Sequence, residues 1–291
     1  MISSYAVLEN LGIGVREKFL RLLNWFKSVK GPVIVAFSGG VDSSVVLAVA
    51  VLALGKDSVI AVTATSPIYP DEDLMWVKRV VEALGVKHVY VENDILNNTD
   101  FINNPPNRCY LCKKNLAEKL NKLANMFNAK AIVDGTNASD LSSYRPGLKA
   151  LMEAGIKSPL IDVGITKDEV REIAKALNLP NWDRAPMACL VTRIPYGERI
   201  TVEKLKRISE AEKIVKTLTG VKLVRVRDHG YMARIEVGRD ERKKFFNENI
   251  MDKIVEELQK LGYKYVALDL YGYRSGSLDE LILKKQNIPQ A

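Results

Sequence analysis

The chain has 291 residues, 47% of them hydrophobic, and carries a formal net charge of +8 at pH 7. This length and apolar content are sufficient for one large or two modest hydrophobic cores. No apolar run reaches membrane-spanning length and the N-terminus lacks the apolar segment of a signal peptide, so we expect a soluble cytoplasmic protein without a membrane partner.

A strand, a turn and a helix near the N-terminus form the most informative stretch of the chain. After an amphipathic helix over residues 9–29, residues 33–37 are an apolar run typical of a buried parallel strand, and residues 45–54 are an apolar helix. Between them lies SGGVDSS, residues 38–44. Such a turn gathers backbone N–H groups at a positive helix end, which predicts a phosphate or pyrophosphate site. A plain serine N-cap does not explain the whole pattern.

Strands and helices alternate through the first 185 residues. We predict strands over residues 58–65, 88–92, 131–133 and 160–163, and helices over residues 71–84, 111–127 and 166–177. Thr166 and Glu169 fit a capping box at the start of the last of these helices. The alternation predicts an α/β domain over residues 1–185, with a doubly wound parallel sheet and ligands at the carboxyl ends of its strands.

The pattern changes near residue 200. We predict a helix over residues 201–219, strands over residues 221–227, 232–237 and 265–270, and two further helical stretches between the last two strands. This predicts a smaller C-terminal α+β domain over residues 186–291, with the Pro-containing stretch 180–199 as the junction.

The three cysteines are an odd number, which argues against a disulfide framework. Cys109 and Cys112 lie in RCYLCK at the start of a helix, and Cys189 lies in ACLVTRIPYGERI at the junction. Four hypotheses stay open: a structural zinc site, a redox pair, three ligands of a 4Fe-4S cluster with one open iron, and Cys189 alone as nucleophile or sulfur donor. The cluster ranks first and Cys189 alone second, because the pair and the third cysteine both occur in predicted site loops.

Arg225 and Arg227 alternate with valines, so both project from one face of a strand while the valines face the core. Two hypotheses compete with even weight: a solvated strand face, or an anion clamp that includes the cysteine loop and Arg274.

The stretch SGGVDSS is not a Walker A loop, because no Gly-Lys-Ser/Thr follows it. It resembles the PP-loop of the N-type ATP pyrophosphatases, which cut ATP between its α and β phosphates. Across nearly the whole chain, SGGVDSS, RCYLCK, DGTNASD with YRPG, ACLVTRIPYGERI, VRDHGYMARIEV and LDLYGYRSGS resemble a narrower group. They are similar to the ATP-dependent sulfur transferases of the LarE family, which build the nickel-pincer nucleotide cofactor of lactate racemase.

The resemblance implies an adenine nucleotide alpha hydrolase-like fold and a reaction. ATP would adenylate a carboxylate of pyridinium-3,5-dicarboxylic acid mononucleotide, releasing pyrophosphate, and sulfur would then replace the activated oxygen to give a thiocarboxylate. Sacrificial members of the family lose the sulfur of the cysteine that matches Cys189, whereas members with three cysteines are thought to carry sulfide on a 4Fe-4S cluster. Because all three are present, the resemblance favours the cluster, with ATP, Mg²⁺ and a sulfide or other sulfur donor, in a homo-oligomer.

The resemblance also implies roles for residues. The ATP phosphates would contact Ser38, Gly39, Gly40, Asp42 and Ser43, and Ala36 and Ser44 would also belong to the ATP site. Asp42 would reach Mg²⁺, Thr63 and Gly135 would lie near the adenosine, and Asp42, Ser43 and Cys189 would be catalytic. The substrate nucleotide would contact Tyr110, Arg193, Arg225 and Arg227, and the cluster would be bound by Cys109, Cys112 and Cys189.

Two other functions stay open. Several tRNA thiolases also combine a PP-loop, a pair of cysteines and a third cysteine, but they usually add RNA-binding modules, which this chain lacks, so nucleic acid is not the expected partner. A non-catalytic ATP-binding sensor would keep the loop without the chemistry.

Overall fold

A computed structural model of the chain describes residues 4–142, 145–186 and 188–280. Tyr144 of the YRPG motif lies outside these ranges. Within them, no helix has the length and apolar character needed to cross a membrane.

The helices and strands follow one another along the chain as follows. The first part contains α1 (Ser4–Glu9), α2 (Ile13–Ser28), β1 (Val33–Ala36), α3 (Val41–Leu54), β2 (Val59–Thr65), α4 (Asp71–Leu84), β3 (Lys87–Glu92), α5 (Thr99–Ile102), α6 (Arg108–Met126), β4 (Ala131–Val133), α7 (Pro146–Glu153), α8 (Pro159–Asp162) and α9 (Lys167–Ala176). The second part contains α10 (Val202–Thr219), β5 (Val224–His229), β6 (Met232–Val237), α11 (Glu248–Lys260) and β7 (Tyr265–Leu268).

The described residues divide by their internal contacts into two compact units. The first comprises residues 1–66, 71–95 and 107–186, and the second comprises residues 67–70, 96–106 and 187–291. The sequence pattern did not predict that two short segments, 67–70 and 96–106, belong to the second unit.

The first unit is built on a parallel four-stranded sheet in the order β3-β2-β1-β4, which confirms the predicted α/β fold. The chain moves outward from β1 to β2 and β3 on one side, and then returns to place β4 on the other side. The sheet order therefore reverses at β1, and ligands of open α/β sheets bind at the carboxyl end of the strand where this happens.

Helix α3 follows β1 and is the most deeply buried helix of this unit. Val45, Val46 and Leu47 are all 0% exposed, and apolar residues occur on every side of the helix. A helix that is apolar all round needs neighbours on every face. Its core cluster includes Phe19 from α2 and Ile173 from α9, so α3 is held in place by the helices packed around it.

One predicted element was wrong. Residues 160–163 are not a strand: Pro159 is the first residue of α8, where its fixed φ and missing N–H suit a helical turn. The strand-like pairing occurs earlier, at Lys157, which bridges Val133 in parallel. The helix predicted over residues 9–29 is present as α2 but begins later than predicted, because the backbone of Gly12 is extended.

The second unit has a three-stranded sheet in the order β5-β6-β7, in which β5 and β6 are antiparallel and β7 is parallel to β6. Val224, Val226 and Ile235 face a core shared with α10 and α11. The edge of β5 is covered, because the Val226 N–H donates to Glu212 Oε1 of α10 at 3.0 Å.

A buried carboxylate ties the β5–β6 hairpin to α10. Asp228 is 0% exposed, and its Oδ2 accepts bonds from Arg207 Nη2 at 2.6 Å and from the Tyr263 hydroxyl at 3.0 Å. Its Oδ1 accepts the Gly230 N–H at 3.0 Å. Burial and the neighbouring Asp228 charge raise the pKa of Tyr263, so the phenol remains a donor at all physiological pH values.

Tyr263→Phe should lower the free energy of unfolding by about 1–2 kcal/mol, because it removes one donor from a buried carboxylate. Tyr265→Phe is the matched control, since Tyr265 is 68% exposed. Urea denaturation of the two variants and the unchanged protein measures the difference. Equal stabilities for the two variants would contradict a structural role for this hydrogen bond.

Candidate functional site

The loop between β1 and α3 holds hydrogen-bond donors that bond to one another only at long distances. The Ser38 N–H donates to Ser43 Oγ at 3.3 Å, and the Gly40 N–H donates to Ser38 Oγ at 3.4 Å. The hydroxyl oxygens of Ser38 and Ser43 are 3.2 Å apart. Backbone and hydroxyl donors bond a phosphate at about 2.8 Å, so an anion would replace these bonds with stronger ones. The N-terminus of α3 adds a positive partial charge.

The backbone of this loop requires glycine at position 39. Gly39 has φ +77°, and a Cβ there would lie 2.8 Å from Val77 Cγ2. Ala36 ends β1 opposite Val62 of β2, one residue before the loop begins to turn. Ser44 is 0% exposed, and its hydroxyl donates to the Gly40 carbonyl at 2.8 Å. That bond favours support of the loop by Ser44 over direct contact with an anion.

Asp42 is bound by two residues that the sequence analysis did not select. Asn137 Nδ2 donates to Asp42 Oδ1 at 3.0 Å, and Lys167 Nζ lies 2.5 Å from Asp42 Oδ2. Lys167 is the first residue of α9, where the helix dipole disfavours a cation. The Asp42 carboxylate offsets that effect and holds the ammonium of Lys167 beside residues 38–43, which we call the anion loop.

Gly135 allows two backbone segments to approach each other closely. A Cβ at Gly135 would lie 2.6 Å from the Ser43 nitrogen and 2.8 Å from the Ser43 Cα. The preceding Asp134 accepts the Ser158 hydroxyl at 2.6 Å and the Thr136 hydroxyl, which fixes the loop after β4. The structure therefore places Gly135 against the first turn of α3.

Thr63 of β2 contacts β3 and the residue that follows β1. Its hydroxyl donates to the Phe37 carbonyl at 2.8 Å and lies 2.9 Å from His88 Nε2. Since the hydroxyl hydrogen is used on Phe37, the His88 ring must donate from Nε2. Burial lowers the pKa of His88, which favours this neutral ring. Thr63 is 3% exposed, so its side chain orders the loop from within the protein.

Cys109 and Cys112 lie in the first turn of α6, three residues apart and on the same side of the helix. Both are half-buried thiols that form no disulfide. Asn93 is 1% exposed and donates from Nδ2 to Cys112 Sγ at 3.5 Å. Between the cysteines, the Tyr110 hydroxyl donates to Glu153 Oε2 at 2.6 Å, and this hydrogen bond raises the pKa of Tyr110.

Cys189 belongs to the second unit and comes directly before a short helical turn, Leu190–Arg193. It too is a half-buried thiol outside any disulfide. Segments 67–70 and 96–106 hold this loop in place. The Leu190 N–H donates to the Ile68 carbonyl at 2.8 Å, and Asn104 Nδ2 donates to the Pro195 carbonyl at 2.8 Å. The loop that carries Cys189 is therefore ordered by residues distant in sequence.

Arg193 is 1% exposed and forms a buried ion pair with Glu212, with Nε donating to Oε1 at 2.8 Å. Its Nη1 donates to the carbonyls of Ala188 at 2.8 Å and Cys189 at 3.0 Å. The Glu212 charge raises the pKa of Arg193 against the opposing effect of burial. These bonds engage the guanidinium within the protein and connect α10 to the Cys189 loop.

Arg225 and Arg227 do share one face of β5, as predicted, but this face is not solvated. They are 7% and 4% exposed. Arg227 donates to Glu236 Oε2 at 2.6 Å and to the Thr192 carbonyl at 2.7 Å. Arg225 lies over the Tyr273 ring, and burial and then the Arg193 charge lower the pKa of Arg225 to about 10. Arg274 is paired with Glu280.

The sequence analysis missed four polar residues, two of which lie in the loop after a strand or at a helix end. Asn137 lies in the loop after the carboxyl end of β4, and Lys167 is a cation at a helix N-terminus. Both positions could therefore have been recognised from the sequence as candidates for the site. Asn181 and Glu212 carried none, because their contacts join residues that are distant in sequence.

Metal ligands are not grouped in the part of the chain that the structure describes. There, no three His, Cys, Asp or Glu side chains come together in a way that could hold a metal ion. The geometry thus gives no support of its own to the predicted cluster.

Comparison with known proteins gives matches over most of the chain. A family model described as NAD synthase matches residues 16–203. The chain is 38% identical over 254 residues to pyridinium-3,5-bisthiocarboxylic acid mononucleotide synthase of Lactiplantibacillus plantarum, covering 87% of this chain and 91% of that protein. It is 40% identical over 268 residues to an uncharacterized protein of Synechocystis sp., covering 92% and 99%. A glutamine-hydrolyzing GMP synthase component of Archaeoglobus fulgidus is 26% identical over 216 residues, covering 68% and 70%.

Gly135→Ala should lower the free energy of unfolding by about 1–3 kcal/mol and weaken pyrophosphate binding, because the new methyl group pushes against the first turn of α3. Gly14→Ala in α2 is the control, since a Cβ at Gly14 meets no atom within 4 Å. Urea denaturation and isothermal titration with inorganic pyrophosphate measure the two effects. Unchanged pyrophosphate affinity in Gly135→Ala would contradict the placement of the anion at this turn.

Proposed function

We propose the function of this chain from its family: it belongs to the ATP-dependent sulfurtransferases that include pyridinium-3,5-bisthiocarboxylic acid mononucleotide synthase, which are PP-loop enzymes related to NAD synthase. In our proposal, the chain converts a carboxylate of pyridinium-3,5-dicarboxylic acid mononucleotide into a thiocarboxylate. The observation that carries this proposal is the loop of residues 38–43, whose N–H and hydroxyl groups of Ser38, Gly40 and Ser43 form hydrogen bonds of 3.1–3.4 Å that an anion would replace with shorter ones.

The first step is activation of the substrate by ATP. The N–H groups of Ser38 and Gly40 and the hydroxyls of Ser38 and Ser43 bind the phosphates that leave as pyrophosphate. Lys167 adds a positive charge to the same group. The Asp42 carboxylate is a hard oxygen ligand of the kind that suits Mg²⁺, which would neutralise phosphate charge.

Adenylation solves a chemical problem of the substrate. A carboxylate is a poor electrophile because its charge is shared between two oxygens and neither is a leaving group. Its oxygen attacks the α-phosphorus, pyrophosphate departs, and the acyl-adenylate that forms carries AMP as a good leaving group. A sulfur nucleophile then attacks the carbonyl carbon, and AMP leaves with the original oxygen.

Arg225 and Arg227 are the residues that we assign to the phosphate of the substrate. The low pKa of Arg225 indicates that its positive charge is unfavourable where it is, because of burial and the nearby Arg193. An arriving anion would offset both effects, and a guanidinium can bind phosphate through two parallel N–H groups. The contacts of Arg193 with the Cys189 carbonyl and Glu212 support a positioning role more than substrate contact.

For the sulfur, we propose that Cys109, Cys112 and Cys189 bind a 4Fe-4S cluster. This proposal rests on the three cysteine motifs and on the spacing of Cys109 and Cys112, which places both thiols on one side of α6. When bound, the cluster would supply an open iron that carries a sulfide. Self-association, which the resemblance also implies, stays a prediction.

The alternative source is Cys189 itself. Its thiolate would attack the acyl-adenylate and form a thioester with loss of AMP. Elimination would then break the Cβ–S bond with loss of the Cα proton, leaving the thiocarboxylate and dehydroalanine at position 189. The Arg193 guanidinium donates to the Cys189 carbonyl at 3.0 Å and so holds the backbone that carries this thiol.

The proposed function predicts release of pyrophosphate and AMP from ATP only when the dicarboxylate mononucleotide is present. A coupled pyrophosphate assay and mass spectrometry of the nucleotide product measure the two halves of the reaction.

In Arg225→Met, the KM for the dicarboxylate should rise roughly 10- to 100-fold while ATP affinity is kept, because a charge-assisted contact is lost. Arg239→Met, at an exposed position, is the matched control.

Three outcomes would contradict the proposal. No pyrophosphate release with any acceptor would indicate an ATP-binding sensor. Salt-sensitive binding of tRNA at micromolar concentration or below, with thiolation of the RNA, would indicate a tRNA thiolase. An equal loss in Arg225→Met and Arg239→Met would remove Arg225 from the substrate site.

The source of sulfur is decided by anaerobic purification. The cluster predicts brown protein with about four irons and added sulfide per chain, and loss of the iron in Cys109→Ala. Iron and sulfide analysis, the visible spectrum and mass spectrometry of the Cys189 peptide are measured on one preparation. A colourless, active protein whose Cys189 becomes dehydroalanine after one turnover would establish the sacrificial route instead.

A further inference from the structure

A buried asparagine that is distant in sequence bonds to the backbone of the anion loop. Asn181 lies beyond the end of α9 and is 0% exposed. Its Nδ2 donates to the Gly39 carbonyl at 2.9 Å and to Ser44 Oγ at 2.8 Å. A carbonyl only accepts hydrogen bonds, so the atom that faces Gly39 must be the amide nitrogen.

The other end of this side chain is not satisfied. Asn181 Oδ1 is buried and has no hydrogen-bond partner among the described residues. A buried acceptor without a partner costs stability, so folding alone does not explain an amide at this position. The contact that the amide does make, to Gly39, is the feature that distinguishes it from an apolar side chain.

The bond to Gly39 determines where the next N–H points. The Gly39–Gly40 peptide is trans, as the described residues contain no cis peptide bond, so the Gly39 carbonyl and the Gly40 N–H point in opposite directions. With the carbonyl turned to Asn181, the N–H faces Ser38 Oγ, at 3.4 Å, among the donors of the loop. Rotation of this peptide would replace the Gly40 N–H, a donor, with the Gly39 carbonyl, an acceptor.

A peptide between two glycines rotates with little steric resistance, because neither residue has a Cβ. The loop therefore needs a restraint from outside. Arg184 Nη1 contacts the same Gly39 carbonyl at 3.4 Å, but its Nη2 is paired with Asp73 at 2.7 Å. The shorter bond, from Asn181, is the stronger restraint.

We propose that Asn181 is a positioning residue for ATP: it keeps the Gly39 carbonyl turned away from the phosphates and the Gly40 N–H turned towards them. The proposal rests on the assignment of ATP to this loop under the proposed function. It concerns one peptide group, and it assigns Asn181 no contact with ATP itself.

The test uses the full chain and two ligands, inorganic pyrophosphate and ATP. Asn181→Asp keeps the shape of the side chain but sets a carboxylate oxygen against the Gly39 carbonyl, which should rotate the peptide. We expect the Kd for pyrophosphate and the KM for ATP to rise roughly 10- to 100-fold, because one hydrogen bond to a charged group is lost. At saturating ATP, kcat should stay within about twofold, since the reacting atoms are untouched.

Two further variants separate positioning from general damage. Asn181→Leu removes both the donor and the unsatisfied acceptor, so it should keep or raise the melting temperature while still weakening pyrophosphate binding; it also replaces Asn181→Asp if that variant does not fold. Asp183→Asn, at an exposed position two residues away, should bind pyrophosphate like the unchanged protein.

Wild-type affinity in Asn181→Leu would overturn the proposal, as would a fall in kcat with unchanged KM for ATP. If the unchanged protein binds neither pyrophosphate nor ATP, the ATP assignment and this proposal are both overturned. If it binds both ligands and the asparagine variants bind them equally well, the ATP assignment stands and the positioning role is overturned.

Discussion

The anion loop, residues 38–43, depends on the fixed position of the first turn of α3. Helix α3 is apolar on all sides and is enclosed by the core of the first unit, so its N-terminus cannot shift without disturbing that core. The polar groups of the site then gather at this one turn. Gly135 brings the loop after β4 against it, Lys167 pairs with Asp42, and Asn181 bonds to Gly39. The apolar helix provides the position and its polar neighbours provide the orientation.

Local patterns predicted the parts of this arrangement whose causes are local. The strand over residues 131–133 and the helix over residues 71–84 have the predicted limits, because apolar runs and acidic first turns are signals within one element. Residues 160–163 were wrongly predicted as a strand, since a run of four residues with three apolar side chains fits a strand or a helical turn equally well and Pro159 favours the turn. Contacts between distant segments, such as Asn181 with Gly39, had no local signal.

The arginines show a different limit of sequence reasoning. Alternation along β5 correctly placed Arg225 and Arg227 on one face, because the side-chain period of a strand is two. It could not show what covers that face. Glu236, Thr192 and Ser277 bond to Arg227 there, so the arginines form part of a buried charged network. Within this network Arg193 is paired with Glu212, whereas Arg227 Nε is buried and has no hydrogen-bond partner among the described residues.

Segments 67–70 and 96–106 limit where the chain can be cut into independent parts. The polypeptide passes from one unit to the other at residues 66–67, 70–71, 95–96, 106–107 and 186–187. A gene fragment that begins at residue 187 would therefore lack the Ile68 carbonyl and the Asn104 amide that order the Cys189 loop. The two units are separate in their cores but are not interchangeable modules. Recombination with a relative at a single junction would therefore leave the Cys189 loop without its supports.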